Sequence, residues 1–160
     1  MNATSTLEIK IIEQTKEAVR FDFFIDYIEL DKILNINRLS NVGFCSFKMD
    51  LFEVDIQKSN SYNRLNYVKS TVSEFLGNSK PSNQFSSDRI VVYGCHCGCD
   101  YCGVISLKLN FDEKYAYWTD IRFEKDEETE TEEVKPLKII QFDKMKYYEQ
   151  FQNFIDEHLA

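Results

Sequence analysis

Residues 89–123 read RIVVYGCHCGCDYCGVISLKLNFDEKYAYWTDIRF, and the reading of this stretch decides the fold. Arg89 to Tyr93 is a short apolar run. Val104 to Leu109 alternates apolar and polar residues, and Lys114 to Phe123 (KYAYWTDIRF) is rich in aromatic and β-branched residues, so each of the three reads as a strand. The links between them, Cys95 to Gly103 and Asn110 to Glu113, fall short of the roughly dozen residues that a parallel crossover needs. The three strands are therefore expected to form an antiparallel meander.

Downstream, Glu124 to Glu133 carries seven acids in ten residues and reads as a solvated loop. Leu137 to Phe142 is a last strand. Asp143 then caps a helix that buries Tyr147, Phe151, Phe154 and Ile155. Upstream, Leu65, Val68, Val72, Phe75 and Leu76 fall on one face of an amphipathic helix over Tyr62 to Leu76, which Gly77 stops. Asn78 to Ser87 is a polar loop.

Residues 7–12 (LEIKII) and 19–30 (VRFDFFIDYIEL) read as strands, and residues 44–57 lean the same way. In the second, the alternation slips at Phe23-Phe24, as a β-bulge there would explain. Asp22, Asp26 and Glu29 suggest a carboxylate site, for which the simpler account is the outward face of a strand. The expectation for residues 1–160 is a single α+β domain with a mostly antiparallel sheet and two packed amphipathic helices.

Composition limits function. Of 160 residues, 43% are hydrophobic and 14% aromatic, which excludes a disordered chain. The formal charge is −8, from 27 acidic and 19 basic residues, so nucleic acid and anionic membranes are repelled and a basic partner protein is attracted. The plainer account of that charge is solubility. No run approaches the roughly 18 apolar residues of a membrane span, and Met1 to Lys10 has no signal-peptide character. Five cysteines fit a disulfide framework poorly, and a cytoplasmic location is expected.

Cys95, Cys97, Cys99 and Cys102 crowd into one turn. Cys99-Asp-Tyr-Cys102-Gly103 has the form of a C-x-x-C-G zinc knuckle, and Cys95 and Cys97 lie two apart on an extended segment, where their sulfurs point the same way. Against zinc, all four thiols lie on one segment, and only Cys45 and His158 stand elsewhere. A reduced turn of small buried cysteines is the plain alternative. Thiol redox chemistry is the third, weakened because His96 would face away from its neighbouring thiols.

Gly94, Cys95, Cys97, Gly98 and Cys102, followed by Trp118 and by Phe142, Asp143 and Tyr147, resemble the pattern of a family of small bacterial proteins. Those proteins have a G-C-x-C-G-x3-C turn, a Trp-containing strand and a C-terminal F-D-x3-Y helix. The likeness covers about the second half of the chain and implies a shared fold rather than an activity. A metal site common to that family would hold only Cys95, Cys97 and Cys102, since His96 and Cys99 lie outside the pattern.

The remaining candidates are surfaces. Glu124, Asp126, Glu127, Glu128, Glu130, Glu132 and Glu133 could dock on a basic protein or form only a solvated loop. Trp118, with Tyr115 and Tyr117, could anchor an interface, although a central strand turns at least one face to the core. No phosphate-binding glycine loop or catalytic constellation is visible. The expected function is a non-enzymatic protein-binding module of the immunity or antitoxin type that binds and neutralises a basic partner protein, a toxin being the candidate. A zinc-stabilised structural or regulatory domain is the alternative, and a thiol redox protein the third.

Overall fold

The computed structural model describes residues 3–36, 46–52, 64–95, 99–125 and 139–159. The expected meander is present: β7 (Ile90–Gly94), β8 (Val104–Phe111) and β9 (Tyr115–Glu124) pair antiparallel in sequence order, and β10 (Ile139–Asp143) pairs antiparallel with β9. β1 (Thr4–Ser5) runs parallel to β10 at one edge, and β5 (Ser46–Phe47) closes the other beside β7. The sheet order is β1-β10-β9-β8-β7-β5.

A second, antiparallel sheet is built on β3 (Ala18–Ile25). β2 (Leu7–Gln14) pairs along it, and β4 (Ile28–Glu29) and β6 (Leu51–Phe52) pair with its two ends. α1 (Leu30–Ile33), α2 (Arg64–Phe75) and α3 (Lys144–Phe154) complete the α+β architecture, and a π-helical turn over Ile155–Leu159 extends α3.

The core lies where the sheets and the two longer helices meet, and aromatic rings fill it. Phe23 on β3 packs edge-on against Phe47, Phe75 and Trp118, with centroids at 4.8, 5.2 and 4.9 Å, and reaches Phe151 on α3 at 5.8 Å. Offset and edge-to-face pairs of this kind add to the area they bury. Trp118 is fully buried, so it belongs to the core and not to an interface. Its indole Nε1 donates to the Tyr147 hydroxyl at 3.1 Å, and that hydroxyl donates to the Phe75 carbonyl at 2.8 Å. Burial pushes the Tyr147 phenol far above its ordinary value.

Asp143 caps α3 as expected, accepting from the Lys146 amide at 3.0 Å, and Tyr147, Phe151 and Phe154 are buried. On α2, Val68, Val72 and Phe75 are buried, while Leu65 is exposed. Gly77 ends that segment with φ +74°. A Cβ there would lie 2.7 Å from the Phe111 ring, so both conformation and space require glycine.

Residues 19–30 differ from the continuous strand read in the sequence. β3 stops at Ile25, and Asp26 and Tyr27, with φ +50° and +71°, make a tight hairpin turn into β4. The change of phase is thus a turn, and the nearby bulge lies in the β2–β3 ladder between Ile11 and Glu13. The left-handed turn carries no glycine, which hid it.

Asp22 is not on an outward face. It is fully buried and accepts a hydrogen bond from the Tyr93 hydroxyl across the core. Asp50, also fully buried, accepts from the Phe21 amide at 2.7 Å and the Phe47 amide at 3.0 Å, tying β3 to β5. Such bonds compensate the desolvation of a buried carboxylate.

Candidate functional site

The cysteine turn begins where β7 ends. A Cβ on Gly94 would lie 2.8 Å from Cε and 3.0 Å from Nζ of Lys48, so glycine lets the lysine stem cross the strand end. Cys95 and Cys99 are half-buried and Cys102 is exposed. Asp100 to Cys102 form one turn of 3-10 helix, in which the Cys102 amide donates to the Cys99 carbonyl at 3.3 Å and the Gly103 amide to the Asp100 carbonyl at 3.0 Å. Gly103 has φ +126°, and a Cβ there would meet the Phe123 ring at 2.9 Å. The C-x-x-C-G segment therefore forms the compact turn that its spacing suggests. Cys97, His96 and Cys45 lie outside the described residues.

Beneath the thiols is a buried charge cluster that the sequence reading did not find. Lys48 and Asp100 are each almost fully buried and pair at 3.5 Å, and the Lys48 ammonium also lies 5.2 Å from the centre of the Tyr67 ring. Asp100 Oδ2 accepts from the Gln84 amide at 2.8 Å, while Gln84 Oε1 accepts from the Asp100 amide at 2.8 Å. The Tyr101 hydroxyl donates to the Gln84 carbonyl at 2.7 Å, and the Phe85 and Tyr101 rings meet edge to face at 5.2 Å. The polar loop after α2 is thus stitched to the turn.

Glu74 on α2 holds the same loop, accepting from the Ser82 amide at 3.1 Å. Burial pushes its carboxyl up to about 7; the Ser82 amide and Lys48 oppose that shift, and Asp100 adds to it. The cluster links α2, the loop and the cysteine turn into one corner. Buried pairs of this kind hold geometry, because removing one partner strands the other charge away from water. Among the described residues no group of three or more Cys, His, Asp or Glu side chains is arranged to hold a metal ion. A four-thiolate zinc site here would need Cys95 and Cys97 together with Cys99 and Cys102.

A second network sits on the β8–β9 ladder. Asp120, with φ +53°, marks a bulge between the Ser106–Arg122 and Lys108–Thr119 pairs. Arg89, nearly buried, reaches Asp120 Oδ2 at 2.8 Å, Ser106 Oγ at 2.9 Å and Glu124 Oε1 at 2.7 Å, and also donates to the Asp120 carbonyl. Burial alone would raise the Asp120 carboxyl, but Arg122 and Arg89 outweigh it and hold the group below its ordinary value. Glu124, grouped in the sequence with the acidic run, is therefore an internal ion-pair residue on β9. Asp126, Glu127, Glu128, Glu130, Glu132 and Glu133 lie outside the described residues.

Of the other candidates, Tyr117 donates to Asp112 at 2.5 Å, which pushes the phenol up to about 12. His158 packs against Phe21 and Phe154, with centroids at 4.8 and 5.3 Å. No helix among the described residues is long and apolar enough to cross a membrane. In comparisons with known proteins, no family model, curated protein or solved structure matches the chain.

Proposed function

We propose that the chain is a non-enzymatic protein-binding module of the immunity or antitoxin type, acting in the cytoplasm, which binds and neutralises a basic partner protein, with a toxin as the natural candidate. The observation that carries this reading is the way charge is distributed. The buried ionic clusters described above, Lys48 with Asp100 and Arg89 with Asp120 and Glu124, are closed on themselves and hold the fold. With Arg122 counted, these clusters carry no net charge, and of the formal −8 on the other residues three acids, Asp22, Asp50 and Glu74, are buried, so a smaller net negative charge faces the surroundings. A surface of that sign speeds encounter with a positive partner and discourages binding to nucleic acid or anionic lipid. Capture from a native cell extract at low ionic strength tests this reading. A basic protein retained in stoichiometric amount supports it, and an extract that yields none argues against it.

A second reading, a zinc-stabilised structural or regulatory domain, is favoured by the compact Cys99–Gly103 turn with its left-handed glycine. Cys95, Cys97, Cys99 and Cys102 would be the ligands, and metal binding would add to folding stability. Protein purified without a metal-affinity tag should then carry about one zinc per chain and melt lower in a chelator. Less than about half an equivalent, with unchanged melting, argues against this reading.

A further inference from the structure

A groove of about 500 Å³ opens between the N-terminal strands and the start of α3, and its lining includes Glu8, Tyr27, Asp143, Lys146 and Glu149. We propose that this groove is the contact surface for an extended basic segment of a partner protein, whose arginine is received by the Glu8 and Glu149 carboxylates and the Tyr27 ring. The proposal rests on the protein-binding reading above and gives it a location.

Four features of the groove lead to that occupant. Its charged lining is three acids against one lysine. Glu8 Oε1 is buried with no hydrogen-bond partner, while Oε2 lies 3.4 Å from the Lys10 ammonium. The Glu8 side chain as a whole keeps 27% exposure and Lys10 47%, so their pair is open to solvent. A solvent-exposed pair of this kind is weak, so an incoming guanidinium would replace Lys10 on Oε2 with a stronger charge-assisted bond.

Tyr27 is 73% exposed and sits in the left-handed region at φ +71°. Tyrosine rarely adopts that conformation, and strain of this sort tends to be kept where it positions a contact. Asp26 holds the turn in place, accepting from the Thr6 amide at 2.8 Å and donating to the Thr6 carbonyl at 2.9 Å. The groove wall also includes Thr4 and Ser5 of β1, an edge strand of its sheet among the described residues, and an edge strand offers backbone groups to an extended chain. Arginine suits the site better than lysine because its planar fork binds carboxylates in pairs and stacks on a tyrosine ring.

The test is an amide-resolved NMR titration of the full chain with a blocked Arg-Thr-Arg-Thr-Arg peptide, alongside the same peptide carrying neutral citrulline for each arginine. Saturable shifts confined to residues 4–8, 26–28 and 143–150 are expected, with no binding of the citrulline peptide. Glu8→Gln combined with Tyr27→Asn should weaken binding about tenfold. Asparagine tolerates the left-handed turn, and Glu149→Gln, at an exposed helix position, gives an independent variant. Shifts spread over the whole surface, or unchanged affinity in variants with native-like spectra, would overturn the proposal. A captured partner whose affinity ignores these substitutions would reject the groove and leave the protein-binding reading standing. Peptide binding in the groove with no partner in the extract would do the reverse.

Discussion

Gln84 and Asp100 hold each other through two reciprocal hydrogen bonds, each amide donating to the other side chain at 2.8 Å. This clasp fixes the turn that carries Cys99 and Cys102 against the loop following α2. Gln84→Ala breaks one half of it, leaving the Asp100 amide without that acceptor, and should lower stability by about 1–2 kcal/mol. Urea denaturation measures the loss, and faster exchange of the Asp100 amide should accompany it.

The Lys48–Asp100 pair is buried on both sides. Asp100→Ala takes a counter-charge from a buried ammonium and should cost about 3 kcal/mol or more, whereas Asp100→Ala together with Lys48→Met should cost clearly less than the two single changes added. A double-mutant cycle in urea supplies the comparison. Strict additivity would mean that the pair is not coupled.

Glu74 gives a pH signature of defined sign. Its carboxyl is raised in the folded chain from an ordinary 4.5 to about 7, so between those values the folded state binds more protons than the unfolded state. Stability should therefore fall as pH rises through that window and level off above it. Glu74→Gln keeps an acceptor for the Ser82 amide and removes the charge. At pH 8 it should be about 1–2 kcal/mol more stable than wild type, with no difference near pH 4. Thermal melts across pH read both parts.

Tyr147→Phe removes the hydroxyl that joins Trp118 to the Phe75 carbonyl. Two buried polar groups lose a partner with little change in volume, and the expected loss is about 2 kcal/mol. Guanidinium denaturation followed by Trp118 fluorescence tests it. A neutral substitution would show that water or neighbouring groups replace the hydroxyl.

The meander, α2 and α3 were legible because their signals are local: alternation in Val104 to Leu109, apolar spacing from Val68 to Phe75, and a capping aspartate before Lys144. The hairpin at Asp26-Tyr27 was not legible, because its left-handed residues are neither glycine nor asparagine. The buried polar groups were hidden for a different reason. Asp22 meets Tyr93 at a separation of 71 residues, Lys48 meets Asp100 at 52 and Arg89 meets Asp120 at 31, so each looks like a surface charge until the sheets assemble. The cysteine turn was visible from its residues, but the charge cluster under it was not.

On the proposed function, the surface charge of this chain serves a basic protein partner. Its most direct test is the salt profile of whatever the immobilised chain retains from native extract. One basic protein in stoichiometric amount is expected, bound at low salt and released as ionic strength rises, because exposed charges are screened over about 10 Å at 0.1 M. Retention of nothing in stoichiometric amount, or of an acidic protein held regardless of salt, would contradict it.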